Sequence, residues 1–147
     1  MEIRFANKND LPQIIDLFEE HAAYEKADYK RKNKLELLSK FIFGQNPNLK
    51  CLVIAQENMI VGYATFMKQF STWDAGFYTY LYCLFLKENV RGTGLGKLLM
   101  EKIKEYAKNE NCSTIQWQTP DFNKKAINFY QKVGGRSKTK ERFYLDL

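Results

Sequence analysis

Apolar residues in the first fifty positions follow two different periods. Residues 2–6 alternate between polar and apolar, which predicts a short strand. From Leu11 the apolar positions recur at intervals of three and four, with Asp10 as a cap and Pro12 in the first turn, which predicts an amphipathic helix to about Tyr24. Helical spacing returns between residues 33 and 44, so a strand followed by two helices is expected.

The middle of the chain has the composition of β-strands. Residues 51–56 and 59–68 are rich in β-favouring residues, and Glu57-Asn58 between them predicts a hairpin turn. Gly62, inside the second of these runs, predicts a bulge. Residues 77–86 are apolar almost throughout, which is typical of a strand that is buried on both faces near the centre of a sheet.

The last third of the chain alternates between helix and strand patterns. Residues 95–108 keep a helical spacing after a glycine-rich loop, and residues 123–133 do so before Gly134-Gly135. Residues 114–119 and 142–147 are predicted to be strands. The resulting order, β-α-α-β-β-β-α-β-α-β, predicts one mixed α/β domain over residues 1–147.

Composition narrows the class of protein. With 147 residues, 45% apolar and 15% aromatic, the chain is long enough for one hydrophobic core. No apolar run reaches the roughly 18 residues of a membrane span, and the charged start lacks the pattern of a secretory signal, so we expect a cytoplasmic protein with no membrane partner. Cys51, Cys83 and Cys112 have neither disulfide nor metal-ligand spacing, which predicts reduced thiols and no bound metal.

The net charge of +6 is compatible with an acidic partner. Nucleic acid is not expected as that partner, because the basic residues are spread along the chain without a stripe or a recognised module. A small molecule that carries phosphates fits the positive charge equally well. The charge alone therefore leaves the ligand open.

The most informative segment is the loop between the apolar strand 77–86 and the next helix. It reads Arg91-Gly92-Thr93-Gly94-Leu95-Gly96-Lys97. Glycines after a strand let the backbone approach an anion, and the unpaired N–H groups and dipole of a helix start favour negative charge. The loop thus predicts a phosphate site. It is not the dinucleotide motif GxGxxG, whose last glycine would fall on Lys97, nor a Walker A motif, which would need glycine at Arg91.

The remaining pattern, Arg91-x-x-Gly94-x-Gly96, resembles the acyl-CoA pyrophosphate loop of the GNAT N-acetyltransferase superfamily. A second segment, residues 123–135 with the sequence NKKAINFYQKVGG, resembles that family's block N-x-x-A-I-x-F-Y-x-x-x-G-F, with Gly135 in place of the final phenylalanine. The two motifs come in the family's order and separation, and the order of elements agrees over nearly the whole chain. The resemblance implies the GNAT fold, a mixed, mostly antiparallel twisted sheet with a splayed central strand and flanking helices.

The resemblance also implies acetyl-CoA as the co-substrate. Backbone groups of the splayed strand would face the pantetheine arm, the loop would hold the pyrophosphate, and the start of the last helix would contact the CoA arm. Tyr130 would reach the CoA sulfur and act as the general acid, and the N–H of Leu84 could polarise the thioester carbonyl. The residues assigned in this way are Leu84, Phe85, Leu86, Arg91, Gly92, Thr93, Gly94, Leu95, Gly96, Lys97, Asn123, Ala126 and Tyr130.

Within the superfamily the chain looks similar to the diamine acetyltransferases of the spermidine/spermine type. It shares with them Tyr24-Glu25, Tyr80-Leu81, the glycine loop and residues 127–130. This similarity implies acetylation of a small primary amine, of a polyamine or diamine-like molecule, by direct attack in a ternary complex. The alternatives are a protein, amino acid or antibiotic amine as the acceptor, or a non-catalytic acyl-CoA sensor. The candidate substrate contacts are Tyr24, Glu25, Tyr82 and Trp117.

The general base is where this chain departs from those enzymes. They carry acidic residues directly after the Tyr-Leu pair, where this chain has Tyr82 and Cys83. A base is still needed, because an alkylamine with a pKa of about 10 is protonated at neutral pH. Glu25 is the first candidate, with Asp74, Tyr82 or a water chain as alternatives. His21, the only histidine, is expected to be solvated on the polar side of the first helix and receives no catalytic role.

The resemblance extends to quaternary structure. GNAT proteins commonly pair through edge strands, and the segment 70–77 is aromatic at both ends. A homodimer with active sites near the interface is therefore expected.

Overall fold

Five strands form the central sheet of the protein, in a computed structural model that describes residues 1–147. They are β1 (Glu2–Phe5), β2 (Leu49–Gln56), β3 (Met59–Ser71), β4 (Gly76–Leu86) and β5 (Ile115–Gln116). Their order across the sheet is β1-β2-β3-β4-β5, and each pair is antiparallel except β4 with β5, which is parallel. The mixed, mostly antiparallel α/β fold is as predicted.

Helices cover both faces of the sheet. They are α1 (Leu11–Tyr24), α2 (Lys34–Phe43), α3 (Leu95–Asn109) and α4 (Lys124–Lys132), with 3₁₀ turns at Lys8–Asp10 and Glu88–Val90. Asp10 does not cap α1 with its side chain, contrary to the prediction. Its carboxylate instead accepts a hydrogen bond from the backbone N–H of Asn7 at 2.7 Å and pairs with Arg4 at 2.7 Å, which ties the end of β1 to the start of α1.

Two hydrophobic clusters hold the layers together. On one face, Leu99 and Ile103 of α3 pack with Phe66 and Leu81 of the sheet, and all four are almost fully buried. The opposite face carries a second cluster, in which α1 and α2 pack against β2, β3 and β4. Each buried aliphatic side chain stabilises this arrangement by about 1.5–3 kcal/mol, so the sheet is fixed from both sides.

The hairpin between β2 and β3 confirms the sequence prediction. Its turn lies at Glu57-Asn58, and the pairing register shifts where Ile54 faces Gly62 and Ala55 faces Ile60, which is the predicted bulge. The strand β3 continues to Ser71, three residues beyond its predicted end at position 68. The added length extends the hairpin with β4 away from the rest of the sheet.

The predicted strand at residues 142–147 is wrong, because residues 136–147 form neither helix nor strand. Phe143 is 90% exposed and Leu145 is 87% exposed, and no neighbouring strand offers them a ladder of hydrogen bonds. An apolar alternation favours a strand only where such a partner exists. The predicted strand at 114–119 is also shorter than expected and contains only Ile115–Gln116.

The sheet opens beside the second half of β4. This strand pairs with β5 only at Thr79 and Tyr80, so residues 81–86 have no strand partner on that side. The pairing of β4 with β3 shifts in the same region, since Leu81 faces Phe66 while Cys83 faces Thr65. Tyr82 is the extra residue, and it is 50% exposed, so β4 is not buried on both faces as predicted.

The three cysteines are free thiols, as predicted. No group of three or more His, Cys, Asp and Glu side chains comes together in a way that could hold a metal ion. None of the helices has both the length and the apolar character needed to cross a membrane.

Candidate active site

The unpaired edge of β4 presents backbone groups at alternate residues. The N–H of Lys87 donates to the carbonyl of Val61 on β3 at 2.9 Å, and Phe85 lies directly opposite Tyr63 of β3. Since successive residues of a strand direct their backbone groups to opposite sides, those of Leu84 and Leu86 point towards the open edge. The carbonyl of Leu86 does so visibly, because it accepts a hydrogen bond from Arg91 Nε at 2.8 Å.

The loop after β4 is shaped by two glycines. Gly92 has φ 78° and Gly94 has φ 89°, backbone conformations that favour glycine, and a Cβ atom added at either would meet no atom within 4 Å. Both residues are exposed, and the nearby Thr93 hydroxyl donates to the carbonyl of Val90 at 2.7 Å. The loop therefore has a fixed backbone with open space in front of it.

The start of α3 follows this loop directly. The N–H of Leu98 donates to the carbonyl of Gly94 at 3.1 Å, which closes the first helical turn. The preceding N–H groups, of Leu95, Gly96 and Lys97, have no acceptor within the helix. Together with the positive end of the helix dipole, these groups make the turn suitable for an anion such as a phosphate.

Not every residue of the loop faces that open space. A Cβ atom at Gly96 would lie 3.1 Å from Cζ of Phe129, so the missing side chain allows α3 to approach α4 closely. Leu95 is only 5% exposed and belongs to the core, whereas Lys97 is exposed. Gly96 thus has a packing role in addition to the backbone N–H that it offers at the helix start.

Arg91 connects the loop to α1. Its guanidinium carbon lies 4.5 Å from the ring centre of Tyr24 and 5.2 Å from that of Phe85, distances typical of cation–π contacts. The Tyr24 hydroxyl in turn donates to Oδ1 of Asn123 at 3.3 Å. Tyr24 does not line the cavity described below, so the structure places it between the loop and α4.

Asn123 begins α4. Its side-chain oxygen accepts the N–H of Ala126 at 3.2 Å, which is an N-cap interaction, and the residue is 8% exposed. Substituting a residue that caps a helix in this way typically costs about 1 kcal/mol. The capping fixes where α4 starts and hence the position of Tyr130 two turns later.

Tyr130 lies on α4 and packs against Trp117, the residue that follows β5. Its ring centre is 5.1 Å from that of Trp117 and 5.2 Å from that of Phe129. Burial raises the pKa of Tyr130 to about 12, and the Glu25 carboxylate and the Cys83 thiol add to the effect. The phenol is therefore protonated at neutral pH, the state that a general acid requires.

A cavity of about 720 Å³ opens between α1, α2 and the sheet. Its walls are mainly apolar and aromatic, and Glu25 and Asp28 are the two carboxylates that line it. The lining residues are Phe18, His21, Ala22, Glu25, Ala27, Asp28, Tyr29, Leu38, Phe41, Asn48, Leu49, Tyr63, Thr65, Met67, Tyr82 and Cys83. Such a cavity suits a cation with an apolar body, because both carboxylates and ring faces attract positive charge.

Only some of the other residues predicted to contact the amine or to act as the base line this cavity. Glu25 and Tyr82 line it, whereas Trp117 does not and packs instead against Tyr130. Asp74 lies in the turn between β3 and β4, where its carboxylate accepts the hydroxyl of Ser71 at 2.9 Å. Among these residues only Glu25 therefore brings a carboxylate into the cavity.

The expectation that His21 is solvated is wrong. Its side chain is 12% exposed, Nδ1 lies 2.7 Å from the Tyr63 hydroxyl, and Nε2 lies 3.3 Å from Glu25 Oε1. The ring also stacks on Phe85, with centres 4.9 Å apart. Burial lowers the pKa of His21, opposed by the Glu25 carboxylate and assisted by the Arg91 cation. The lowered pKa favours the neutral imidazole at neutral pH.

Sequence reasoning also missed Tyr63, Phe18, Tyr29 and Phe41 as cavity walls. They come from β3, α1, the connection between the two helices and α2, respectively, so no local motif marks them. One signal was present for His21. It precedes Glu25 by four residues, a spacing that places both side chains on the same face of α1.

A mostly antiparallel sheet that opens beside a glycine-rich helix start, with an amine-compatible cavity next to it, is the arrangement expected of an acyl-CoA-dependent acetyltransferase. The model of the acetyltransferase (GNAT) family matches residues 12–135. The chain belongs to this family and is an N-acetyltransferase. Members of the family use acetyl-CoA as co-substrate, so this part of the sequence-based assignment is confirmed.

Curated relatives share most of the chain. The thialysine N-epsilon-acetyltransferase of Mus musculus is 32% identical, covering 97% of this chain and 88% of that protein. The enzyme of the same name from Sus scrofa is 34% identical, covering 93% and 85%. The spermidine/spermine N(1)-acetyltransferase-like protein 1 of Homo sapiens is 28% identical, covering 90% of this chain but 20% of that protein.

Solved structures share the fold. An aminoglycoside acetyltransferase from an uncultured soil metagenomic sample, in complex with sisomicin, superimposes with a TM-score of 0.84. The two chains are 22% identical, and the match covers 99% of this chain and 95% of the other. A ribosomal-protein-alanine N-acetyltransferase from Brucella melitensis biovar Abortus 2308 gives a TM-score of 0.79 at 13% identity, covering 99% of this chain and all of that one.

Proposed function

We propose that the protein transfers the acetyl group of acetyl-CoA to a primary amine of a small diamine-like, polyamine-like or thialysine-like molecule. The observation that carries this proposal is the cavity that holds Glu25 and Asp28 among aromatic walls. A protonated amine is attracted both by the carboxylates and by the ring faces. The names of the relatives from Mus musculus and Homo sapiens support the same class of substrate.

Acetyl-CoA fits the opposite side of the site. The open space at Gly92 and Gly94 and the free N–H groups at the start of α3 suit its pyrophosphate. The backbone groups of Leu84 and Leu86 face the strand edge along which we place the pantetheine arm. Once bound, acetyl-CoA supplies an activated acetyl thioester.

The chain's own groups then assist the transfer. The amine nitrogen forms a bond to the acetyl carbon while the carbon–sulfur bond breaks, and the departing thiolate takes a proton from the Tyr130 hydroxyl. Tyr130 regains a proton from the nitrogen that has attacked. The N–H of Leu84 stabilises charge on the acetyl oxygen, and Glu25 is the carboxylate that we assign to the amine side. General acid catalysis of this kind typically contributes about 10² to 10⁴ in rate.

A thiol-release assay tests the function. The amines are spermidine, putrescine, lysine, thialysine, an aminoglycoside and a basic peptide, each with saturating acetyl-CoA. We expect a small diamine-like amine to give the highest kcat/KM. Preference for the aminoglycoside or the peptide would contradict the proposed substrate class. A melting temperature that rises with CoA, without thiol release from any amine, would instead favour the acyl-CoA sensor.

We further propose that the protein is a cytoplasmic homodimer of a single-domain chain and that the reaction requires no metal. Exposed apolar residues support the dimer, since Trp73 is 95% exposed at the β3–β4 turn and Phe143 is 90% exposed near the C-terminus. Large exposed aromatic residues often mark a surface that a partner covers. Light scattering coupled to size exclusion should give twice the 17.4 kDa chain mass. A monomer at micromolar concentration would contradict the dimer.

A further inference from the structure

His21 is a titratable group with a side chain only 12% exposed, and the mechanism above has no use for it. It is the only histidine of the chain, it lines the cavity, and both of its ring nitrogens have a partner. Tyr82 and Cys83 supply no carboxylate to the cavity, and the mechanism above gives Glu25 no proton-accepting step, so the acceptor for the proton of the ammonium substrate is still unassigned. The position of His21 answers this requirement.

Three side chains form a continuous line from the cavity wall to the end of α1. The Tyr63 hydroxyl lies 2.7 Å from Nδ1 of His21, and Nε2 of His21 lies 3.3 Å from Oε1 of Glu25. All three residues line the cavity. Tyr63 comes from β3, His21 from α1 and Glu25 from the residue directly after α1, so the packing of α1 on the sheet creates the line.

The protonation of this line follows from burial. Tyr63 is 1% exposed, and burial raises the pKa of its phenol well above the ordinary range, so Tyr63 keeps its proton. A carboxylate can only accept a hydrogen bond, so the neutral ring carries its proton on Nε2, which faces Glu25, and Nδ1 accepts from the Tyr63 hydroxyl. A carboxylate on one imidazole nitrogen and a hydroxyl on the other is the arrangement by which serine hydrolases make an imidazole accept a proton.

We propose that His21 accepts the proton that the ammonium substrate must lose, with the Tyr63 hydroxyl as the relay and Glu25 as the counter-charge. This proposal rests on the proposed acetyltransferase function. An N–H bond of the ammonium group breaks, its proton passes to the Tyr63 oxygen, and the Tyr63 proton passes to Nδ1 of His21. The imidazolium then releases its Nε2 proton to solvent on the Glu25 side, and proton exchange of the neutral ring with solvent restores the starting Nε2–H tautomer.

Imidazole is better matched to this task than a carboxylate alone. In model compounds its pKa is about 6.5, compared with about 4.3 for a glutamate side chain, and so lies closer to the value of about 10 for an alkylamine. For the model compounds this difference corresponds to a roughly 100-fold more favourable proton transfer, and the burial that lowers the pKa of His21 reduces this advantage.

Charges from every neighbouring element act on His21. Glu25, the residue directly after α1, favours the imidazolium, and Arg91 of the loop after β4 opposes it. The Cys83 thiol of β4 lies beside the Tyr63 hydroxyl, and burial raises the pKa of that thiol, so it adds no charge at neutral pH. Arg91 and burial keep the ring neutral and able to accept a proton, while Glu25 stabilises the charge once it forms.

The wild-type enzyme offers the first test. Because the chain has one histidine, a single imidazole signal in the NMR spectrum reports its titration. We expect the pKa of this signal, with CoA bound, to coincide with the acid limb of the pH profile of kcat/KM. A disagreement of more than about one pKa unit would overturn the proposal.

The variant His21→Gln provides the second test, because it keeps hydrogen-bonding groups but does not titrate. We expect kcat at pH 7.5 to fall about 10²- to 10⁴-fold, the acid limb to disappear, and the CoA-induced rise in melting temperature to remain. Tyr63→Phe should also lower kcat at least tenfold, since it removes the relay. The matched control is Asp16→Asn, an exposed carboxylate on α1 that pairs with Arg31 and should leave kcat within about twofold.

The outcomes separate this inference from the function on which it rests. If His21→Gln retains kcat within threefold together with the acid limb, while Glu25→Gln loses activity, Glu25 is the base and His21 only supports it. If the wild-type protein binds CoA but turns over no amine, the proposed function fails before His21 is tested. Recovery of His21→Ala by added imidazole would show a chemical role that mere positioning of Glu25 could not explain.

Discussion

The two sides of the candidate site are built in different ways. The side that we assign to acetyl-CoA consists of backbone groups from one continuous stretch, from the end of β4 through the loop to the start of α3. The cavity for the amine consists of side chains from α1, α2, β3 and β4, which are far apart in the sequence. The first side depends on local backbone geometry, so few residues can change there. The second depends on how elements far apart in the sequence pack together.

The largest expected effect lies where the two sides meet, at Tyr130. Replacing Tyr130 by phenylalanine removes the proton donor but keeps the ring that packs on Trp117. We expect kcat to fall about 10²- to 10⁴-fold with the affinity for CoA unchanged. Single-turnover thiol release measures the first quantity and calorimetry the second.

The control for this experiment is Tyr144→Phe, at a residue that is 75% exposed near the C-terminus. It should behave as wild type. A kcat of Tyr130→Phe within a factor of three of wild type would show that the general acid lies elsewhere.

The next largest effect is expected at Gly96, on the side of the site that consists of backbone groups and that we assign to acetyl-CoA. A valine there would bring side-chain atoms against Phe129, whose Cζ lies 3.1 Å from the position of the first added carbon. Overpacking of this kind typically costs about 1–3 kcal/mol, equivalent to a fall in melting temperature of roughly 3–10 °C for a chain of this size. Thermal unfolding with and without CoA is the measurement, and CoA affinity should fall as α3 moves away from α4.

Gly76→Val is the matched control for Gly96. At that position the added carbon would meet only the Asp74 carbonyl oxygen, at 3.7 Å, an ordinary contact. If both variants lose the same stability, the close approach of α3 and α4 is not what Gly96 provides.

A smaller effect, on the preference between amines, is expected at Tyr82 in the cavity wall. Tyr82→Glu places a carboxylate at a half-exposed bulge, so the fold should tolerate it. We expect the ratio of kcat/KM for spermidine to that for a monoamine to rise about fivefold, the effect of roughly 1 kcal/mol from an added ion pair. Tyr144→Glu adds the same charge outside the cavity and should not change the ratio. An unchanged ratio in Tyr82→Glu would mean that the amine does not reach the bulge.

The smallest expected effect concerns the pH dependence of stability. Because the pKa of His21 is lowered on folding, the unfolded chain binds a proton at this residue first as the solution is acidified. This residue therefore stabilises the fold less as the pH falls from above 6.5, and the free energy of unfolding should drop more between pH 7.5 and 5.5 in wild type than in His21→Gln. Urea unfolding at pH 7.5 and at pH 5.5 measures the free energy of unfolding. Equal drops in wild type and His21→Gln would argue against a lowered pKa of His21 in the folded protein.

The sequence predicted the backbone-built side better than the cavity. The loop at residues 91–97 could be recognised because its glycine spacing and the following helix start carry the chemistry locally. His21 could not be placed correctly, because a helical projection shows which residues share a face but not what the face packs against. Tyr63 and Phe41 required knowledge of how α1 and α2 lie on the sheet. The strand predicted at 142–147 was wrong because β-propensity does not specify a partner strand.

Arg91 contacts residues on both sides of the site and can therefore couple the binding of acetyl-CoA to the binding of the amine. Its guanidinium rests on the rings of Tyr24 and Phe85, and Phe85 stacks in turn on His21. A ligand that displaces Arg91 on the loop would therefore change the packing of Tyr24 and Phe85, and Phe85 contacts His21 in the cavity wall. Linkage requires that the factor by which acetyl-CoA changes the affinity for the amine equals the factor by which the amine changes the affinity for acetyl-CoA. One coupling constant, measured from either ligand, thus describes how the enzyme fills its two sites.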